Sequence, residues 1–400
     1  MLQSLFDCNS IHNRVRRLCA ACRKEIKDNV SDDSMKTIPT LSVDKTVEQL
    51  SESFSAVINA GLNPNVLPSV MLWGPPGVGK SQAVRQIAEK IKAKTGKKTV
   101  VTDVRLLLFN PIDLRGIPTA DEKKTEAIWL RPQIFRMDAS SNTVNLLFLD
   151  EISAAPPSVQ AAAYQIALDH TVGEHKLPDN CIVIAAGNRV TDRSVAFKMP
   201  KALANRLCHI EMESNFESWR RWAVQGGIHE KIIGFLSARN DLLMGFDASR
   251  DDLAFPTPRS WEMVSRLLNG TKIEPEKLHP LIAGCVGTGV AAEFRTWCKI
   301  YASLPKTEDI FAGKRVPIPK ETDALYALVS SMTVYAREHK NDMNAIANSI
   351  NYAIGMPADF SAVLFKNYLA IEADYRMKLL KIPEFRDWAS KKGRLLNGAF

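Results

Sequence analysis

The chain's 400 residues leave room for roughly two or three packed units. With 46% hydrophobic and 24% charged residues it has the composition of a folded globular protein, which excludes an intrinsically disordered one. The formal charge of +8, from 52 basic and 44 acidic side chains mixed along the chain, is a weak pointer to an anionic partner and excludes no function class.

In chain order, residues 1–35 read as a short leader: a loosely attached helix followed by the polar segment DNVSDDS. Its opening residues lack a basic stretch followed by an apolar one, so a secretory signal is not supported and a cytoplasmic protein is expected. Cys8, His12, Cys19 and Cys22 offer one zinc-type set, though an amphipathic leader with ordinary thiols explains the same residues. Seven scattered cysteines, an odd number, argue against a disulfide framework. Val43, Val47, Leu50, Phe54, Val57 and Ile58 then recur at helical spacing before the turn-rich GLNPNVLPS.

Between Pro68 and His209 short apolar runs at 69–73, 99–103, 146–150, 182–186 and 207–212 alternate with helical stretches. This predicts a central parallel five-stranded sheet with covering helices, an αβα core over residues 36–214. None of these runs approaches the roughly 20 apolar residues of a membrane-spanning helix. After Phe216 the pattern is almost wholly helical, giving an α-helical lid over 215–305. The proline-rich KTEDIFAGKRVPIPKE then introduces a helical C-terminal region over 306–400. Gly287 and Gly289 lie among helices, so they read as helix packing or a helix start, not as part of a dinucleotide site.

The strongest motif is Gly74-Pro75-Pro76-Gly77-Val78-Gly79-Lys80-Ser81, directly after the apolar SVMLW and directly before the helical SQAVRQIAEKI. A phosphate loop needs this strand, loop and helix order. Its glycines let backbone N–H groups wrap the phosphates, and the helix behind, entered through Ser81 and Gln82, turns its positive end toward them. Lys80 is placed to reach the β- and γ-phosphates of ATP and the Ser81 hydroxyl to ligate Mg²⁺. About 70 residues further on, LLFLDE puts Asp150 at a strand end as the second magnesium group, with Glu151 beside it to polarise the attacking water. A third apolar strand, CIVIAAGN, ends in Asn188, whose amide can bond both γ-phosphate and water; an asparagine favouring a left-handed turn after Gly187 is the plainer reading.

Together GPPGVGKS, LLFLDE, IAAGN, PKALANRLCHIEM and FPTPRSWEMVSRLL resemble, in order and spacing over residues 44–300, the AAA+ ATPases, in particular their MoxR and dynein-related branch. The resemblance implies a P-loop NTPase core with a helical lid, working as a homo-oligomeric ring, normally a hexamer. It makes Arg206 an arginine finger directed at the next subunit and Arg259 a second sensor at the start of a lid helix. Pro256 and Pro258 suit a rigid entry to that helix. NPIDLRGIPTADEKKTEAIWLRPQIF corresponds to the helix-2 insertion, read as a hairpin with a polar tip. YQIALDHTVGEHKLPDN corresponds to the pre-sensor hairpin, with Gly173 in its turn. In such rings these hairpins face the pore or the substrate.

The leading expectation is a MoxR-like ATPase remodelling a protein partner, in this branch commonly one with a von Willebrand factor A domain. The alternatives are a nucleic-acid motor or loader of phage or plasmid replication type, and a nucleotide-gated scaffold without turnover. Intact Glu151, Asn188 and Arg206 disfavour the scaffold. Arg105, Arg189 and Arg193 are further arginines suited to a subunit interface.

Overall fold

The structure, a computed structural model, describes residues 38–192, 199, 201–271, 273–372 and 374–396. It divides into residues 1–40 and residues 41–400, and the second unit carries the fold below. The leader's cysteine and histidine set, and Arg193, lie outside the described residues.

A short strand, Thr40–Ser42 (β1), leads into helix Val43–Asn59 (α1), which buries Val47, Leu50, Phe54 and Ile58 along one face. Strand Val70–Trp73 (β2) passes through the phosphate loop into helix Lys80–Thr95 (α2). That helix closes on Gly96, a left-handed cap with Lys92 and Lys94 in the last turn, where cations suit the helix dipole. Strand Lys98–Arg105 (β3) and the short helix Pro111–Arg115 (α3) precede an antiparallel hairpin, Ile117–Ala120 (β4) with Ala127–Leu130 (β5). Strand Thr143–Asp150 (β6), helix Pro157–Asp169 (α4), the small hairpin Thr171–Val172 (β7) with His175–Lys176 (β8), strand Cys181–Gly187 (β9), helix Lys201–Ala204 (α5) and strand Cys208–Glu213 (β10) complete the core.

The main sheet runs β1-β10-β2-β9-β6-β3. The five strands expected from the sequence are mutually parallel. The short β1 joins them at the edge as a sixth, too brief to leave a pattern of its own. Because helices cover both faces, β6 and β9 are buried almost end to end and read as unbroken apolar runs, not alternating ones. Alternate residues nonetheless serve different cores. Met71, Leu147, Leu149, Val183 and Ala185 pack with α4, while Leu72, Leu146, Phe148, Ile182 and Ile184 pack with α1 and α2.

The lid comprises helices Phe216–Gly226 (α6), Glu230–Ala238 (α7), Pro258–Thr271 (α8), His279–Val286 (α9) and Thr288–Ala302 (α10). Its centre is aromatic: Phe235 stands 5.5 Å from Trp261, 5.4 Å from Phe294 and 6.1 Å from Trp297 between ring centroids. Gly287, at φ +89°, is the N-cap of α10, consistent with its reading as a helix start. The remaining helices are Thr307–Phe311 (α11), Thr322–Glu338 (α12), Met343–Ile354 (α13), Ala358–Leu369 (α14), Tyr375–Leu379 (α15) and Pro383–Lys392 (α16). They share a core built on Leu328, Ile350, Phe365, Tyr368 and Trp388. They are also joined to the lid: the buried Arg220 of α6 donates to Asn367 of α14, and Asn367 donates to Thr333 of α12 at 2.9 Å. Among the described residues no helix is long and apolar enough to cross a membrane.

Candidate active site

Sheet order sets the geometry of the site. β9 lies between β2 and β6, so the residues that follow these three strands emerge side by side at one sheet edge. There the structure brings together Lys80, Ser81, Asp150, Glu151 and Asn188. The Lys80 ammonium donates to the Asn188 side-chain oxygen at 2.8 Å and to the carbonyls of Gly74 and Pro75 at 2.6 and 3.2 Å. The Ser81 hydroxyl donates to Asp150 Oδ2 at 3.0 Å, and Asp150 Oδ1 accepts the Glu151 backbone N–H at 2.9 Å.

Several backbone features are specific to this edge. Glu151 adopts φ +59°, a left-handed conformation that a residue with a side chain takes at a cost of order 1 kcal/mol or more. The turn is held by the Ile152 N–H on the Ala186 carbonyl at 2.9 Å and by the Ala154 N–H on the Glu151 carbonyl at 3.0 Å. Asn188 is anchored by its own N–H on the Ser153 hydroxyl at 2.9 Å. A side chain on Gly187 would fall 2.7 Å from that hydroxyl. Gly77, at φ +80°, faces the lid: a Cβ there would lie 2.8 Å from Thr257. Thr257 caps α8 reciprocally with Ser260, by bonds of 3.0 and 2.8 Å, so the phosphate loop abuts the entry of the lid helix.

A cavity of about 650 Å³ opens over the loop, lined by Gly77, Val78, Gly79, Ser81 and Gln82 on one side and by Asp150 and Glu151 on another. Val43, Trp219, Trp222 and Met263 line it with apolar groups, while Arg85, Arg105, Arg259 and Arg266 share its wall with the acidic Asp44, Asp150, Glu151 and Glu262. Arg259 sits in the first turn of α8, where the helix dipole disfavours a cation, so its placement matches an anion in the cavity. Burial pushes the Lys80 ammonium down to about 8; Arg259 adds to this, and Asp150, Asp192 and Glu151 work against it. At the far end Asp44 pairs with Arg221, and its N–H donates to Ser218, so α1 is tied to the lid helix α6. Burial acts to raise the Asp44 carboxyl, but bonds with Ser42, Ser218 and Arg221 outweigh it and hold the group at about 2.

Arg206 is not brought to this cavity. It is exposed in the turn between α5 and β10 and is absent from the cavity wall. Arg189 is occupied within its own chain, paired with Asp192 at 2.9 Å and with Glu211. Sequence reasoning missed Ser153 and Thr257, the two hydroxyls that fix Asn188 and the lid entry. It also missed Trp219 and Trp222 as cavity residues. Their three-residue spacing was the available signal, since it sets both indoles on one face of α6. Both inserted segments form hairpins, and the His175 imidazole of the second bonds to the Trp129 carbonyl of the first at 2.7 Å.

Residues 69–209 match the family model described as the ATPase family associated with various cellular activities (AAA). The ATPase family gene 2 protein homolog B of Rattus norvegicus is 30% identical over 152 residues, covering 35% of this chain and 18% of that protein. Replication factor C subunit 5 of Arabidopsis thaliana is 28% identical over 155 residues, covering 37% of this chain and 38% of that protein. The chain thus spans well under half the length of these relatives. Among solved structures, a mutant RuvB of Thermotoga maritima aligns over 73% of this chain and 85% of its own at 17% identity and a TM-score of 0.32. The matched segment runs from the phosphate-loop strand to β10, so the similarity to that family lies within the αβα core.

Proposed function

We propose that the chain hydrolyses ATP and, in the manner of MoxR-like ATPases, uses the energy as a ring oligomer to remodel a protein partner. The observation that carries this reading is the meeting of Lys80, Ser81, Asp150, Glu151 and Asn188 at one sheet edge beneath a cavity that four arginines help to line. Lys80 exchanges its bonds to Gly74, Pro75 and Asn188 for the β- and γ-phosphates, leaving the Asn188 amide free to hold γ-phosphate and water. Glu151 accepts the proton of the attacking water as the bond between the terminal phosphorus and its bridging oxygen breaks. Arg259 contributes charge from the lid. Arg206, exposed and away from its own cavity, reaches the site of an adjoining subunit and offsets charge there.

The Ser81 hydroxyl and Asp150 carboxylate form an all-oxygen pair suited to a small hard cation that takes its other ligands from phosphate and water. A Mg²⁺ ion held there by Ser81 and Asp150 would supply positive charge to offset that of the phosphates.

Lys80→Ala is expected to abolish nucleotide binding in a fluorescent-nucleotide titration. A pull-down with the Glu151→Gln protein held in ATP tests the client: enrichment of one partner protein, with release on nucleotide removal, is expected. The 28% identity with a replication factor C subunit and the charge of +8 favour one second reading, a nucleic-acid motor or loader. That reading requires DNA to raise the ATPase rate and binding to weaken steeply with salt.

A further inference from the structure

A hydrogen-bonded chain through His209 ties the strand that feeds the phosphate loop to the turn that carries Arg206. Trp73 is the last residue of β2, immediately before Gly74, and His209 pairs with Met71 in the neighbouring β10. Trp73 and His209 therefore share a face of the sheet. The Trp73 indole N–H donates to His209 Nδ1 at 2.9 Å, and the two rings stack with centroids 6.0 Å apart. An indole nitrogen only donates, so Nδ1 carries no proton and the ring's hydrogen sits on Nε2. From there it donates to the Ala204 carbonyl at 2.7 Å.

Ala204 ends α5, and its carbonyl also accepts the Leu207 N–H at 3.3 Å. Arg206 lies inside that turn. The turn is thus fixed twice, by Leu207 buried in the core and by His209 on the Ala204 carbonyl. Neither Trp73 nor His209 lines the cavity of its own chain.

We propose that His209 is a positioning residue for Arg206, held by Trp73 and holding the turn at the angle that presents the guanidinium to the adjoining subunit. The inference rests on the reading of Arg206 as acting in trans.

The test mixes two kinds of subunit. Acceptors carry Arg206→Ala and keep their own site intact; donors carry Glu151→Gln, which cannot turn over but still present Arg206. Restored ATPase activity in the mixture reports on the donor's arginine alone. Donors that also carry His209→Leu are expected to restore about a tenth of that rate, one order short of the roughly hundredfold cost of a 1 Å misplacement. His209→Gln, which offers both an acceptor oxygen and a donor N–H, is expected to restore the rate to within about twofold. Trp73→Phe in the donor keeps the stacking and removes only the N–H, so it should lower the rate in the same direction with an unchanged melting temperature. The same His209→Leu placed in the acceptor, whose Arg206 is already gone, should change the rate by less than about twofold.

Equal restoration by His209→Leu and unaltered donors overturns the inference, as does equal loss when the change sits in the acceptor. Absence of any restoration by unaltered donors overturns the trans reading of Arg206, and this inference with it.

Discussion

Lys80 illustrates how a single side chain couples the fold to ligand binding. Its ammonium, brought down to about 8 by burial, bonds to two loop carbonyls and to Asn188. A bound triphosphate favours the charged form, so binding above that pH takes up a proton. The sign is fixed: the free site is protonated below about 8 and progressively neutral above it, so affinity falls as pH rises. We expect the dissociation constant to weaken about fivefold between pH 8 and pH 9 and little between pH 6 and pH 7; a titration flat to pH 9 contradicts the charge state assigned to Lys80. That Lys80, Asp150 and Asn188 meet was legible in the sequence, because Asp150 and Asn188 close apolar strands and Lys80 ends the glycine-rich loop that follows another. Ser153 was not, because a serine in a loop carries no pattern until the fold sets its hydroxyl under Asn188.

At the scale of elements, β2, β6 and β9 were legible because central strands of a sheet covered on both faces require continuous apolar runs. Leu147 lies wholly buried in β6, between β9 and β3, so Leu147→Ala is expected to cost about 2–5 kcal/mol in denaturant unfolding. The contact of phosphate loop with lid helix was not legible, since it depends on an absent atom. Gly77→Ala puts a Cβ 2.8 Å from Thr257 at a positive φ, and we expect it to cost about 1–3 kcal/mol of stability and to weaken nucleotide binding. An unchanged affinity with normal folding shows that the lid entry yields freely, contrary to the packing described.

At the scale of the whole molecule, α6 connects two regions. Ser218 and Arg221 hold Asp44 of α1, Trp219 and Trp222 line the cavity, and Arg220 is buried against Asn367 in the C-terminal helices. Helix α6 thus contacts the nucleotide-loop side and the C-terminal helices at once. The proline-rich stretch marked a break in the sequence, but no sequence pattern announces that a buried arginine joins the helices beyond it to the lid. Asn367→Ala leaves the Arg220 guanidinium short of an acceptor and is expected to cost about 1.5–3 kcal/mol, read as a lowered melting temperature.

In the function we propose, ATP lies on the loop ending in Lys80 while Glu151 activates the water that attacks it. The most direct measurement compares ATP binding and steady-state turnover in wild type and Glu151→Gln. Affinity within about threefold of wild type and turnover reduced at least about a hundredfold are predicted, the scale of losing a general base. Equal turnover by the two proteins, or no affinity of the wild type for ATP, would contradict it.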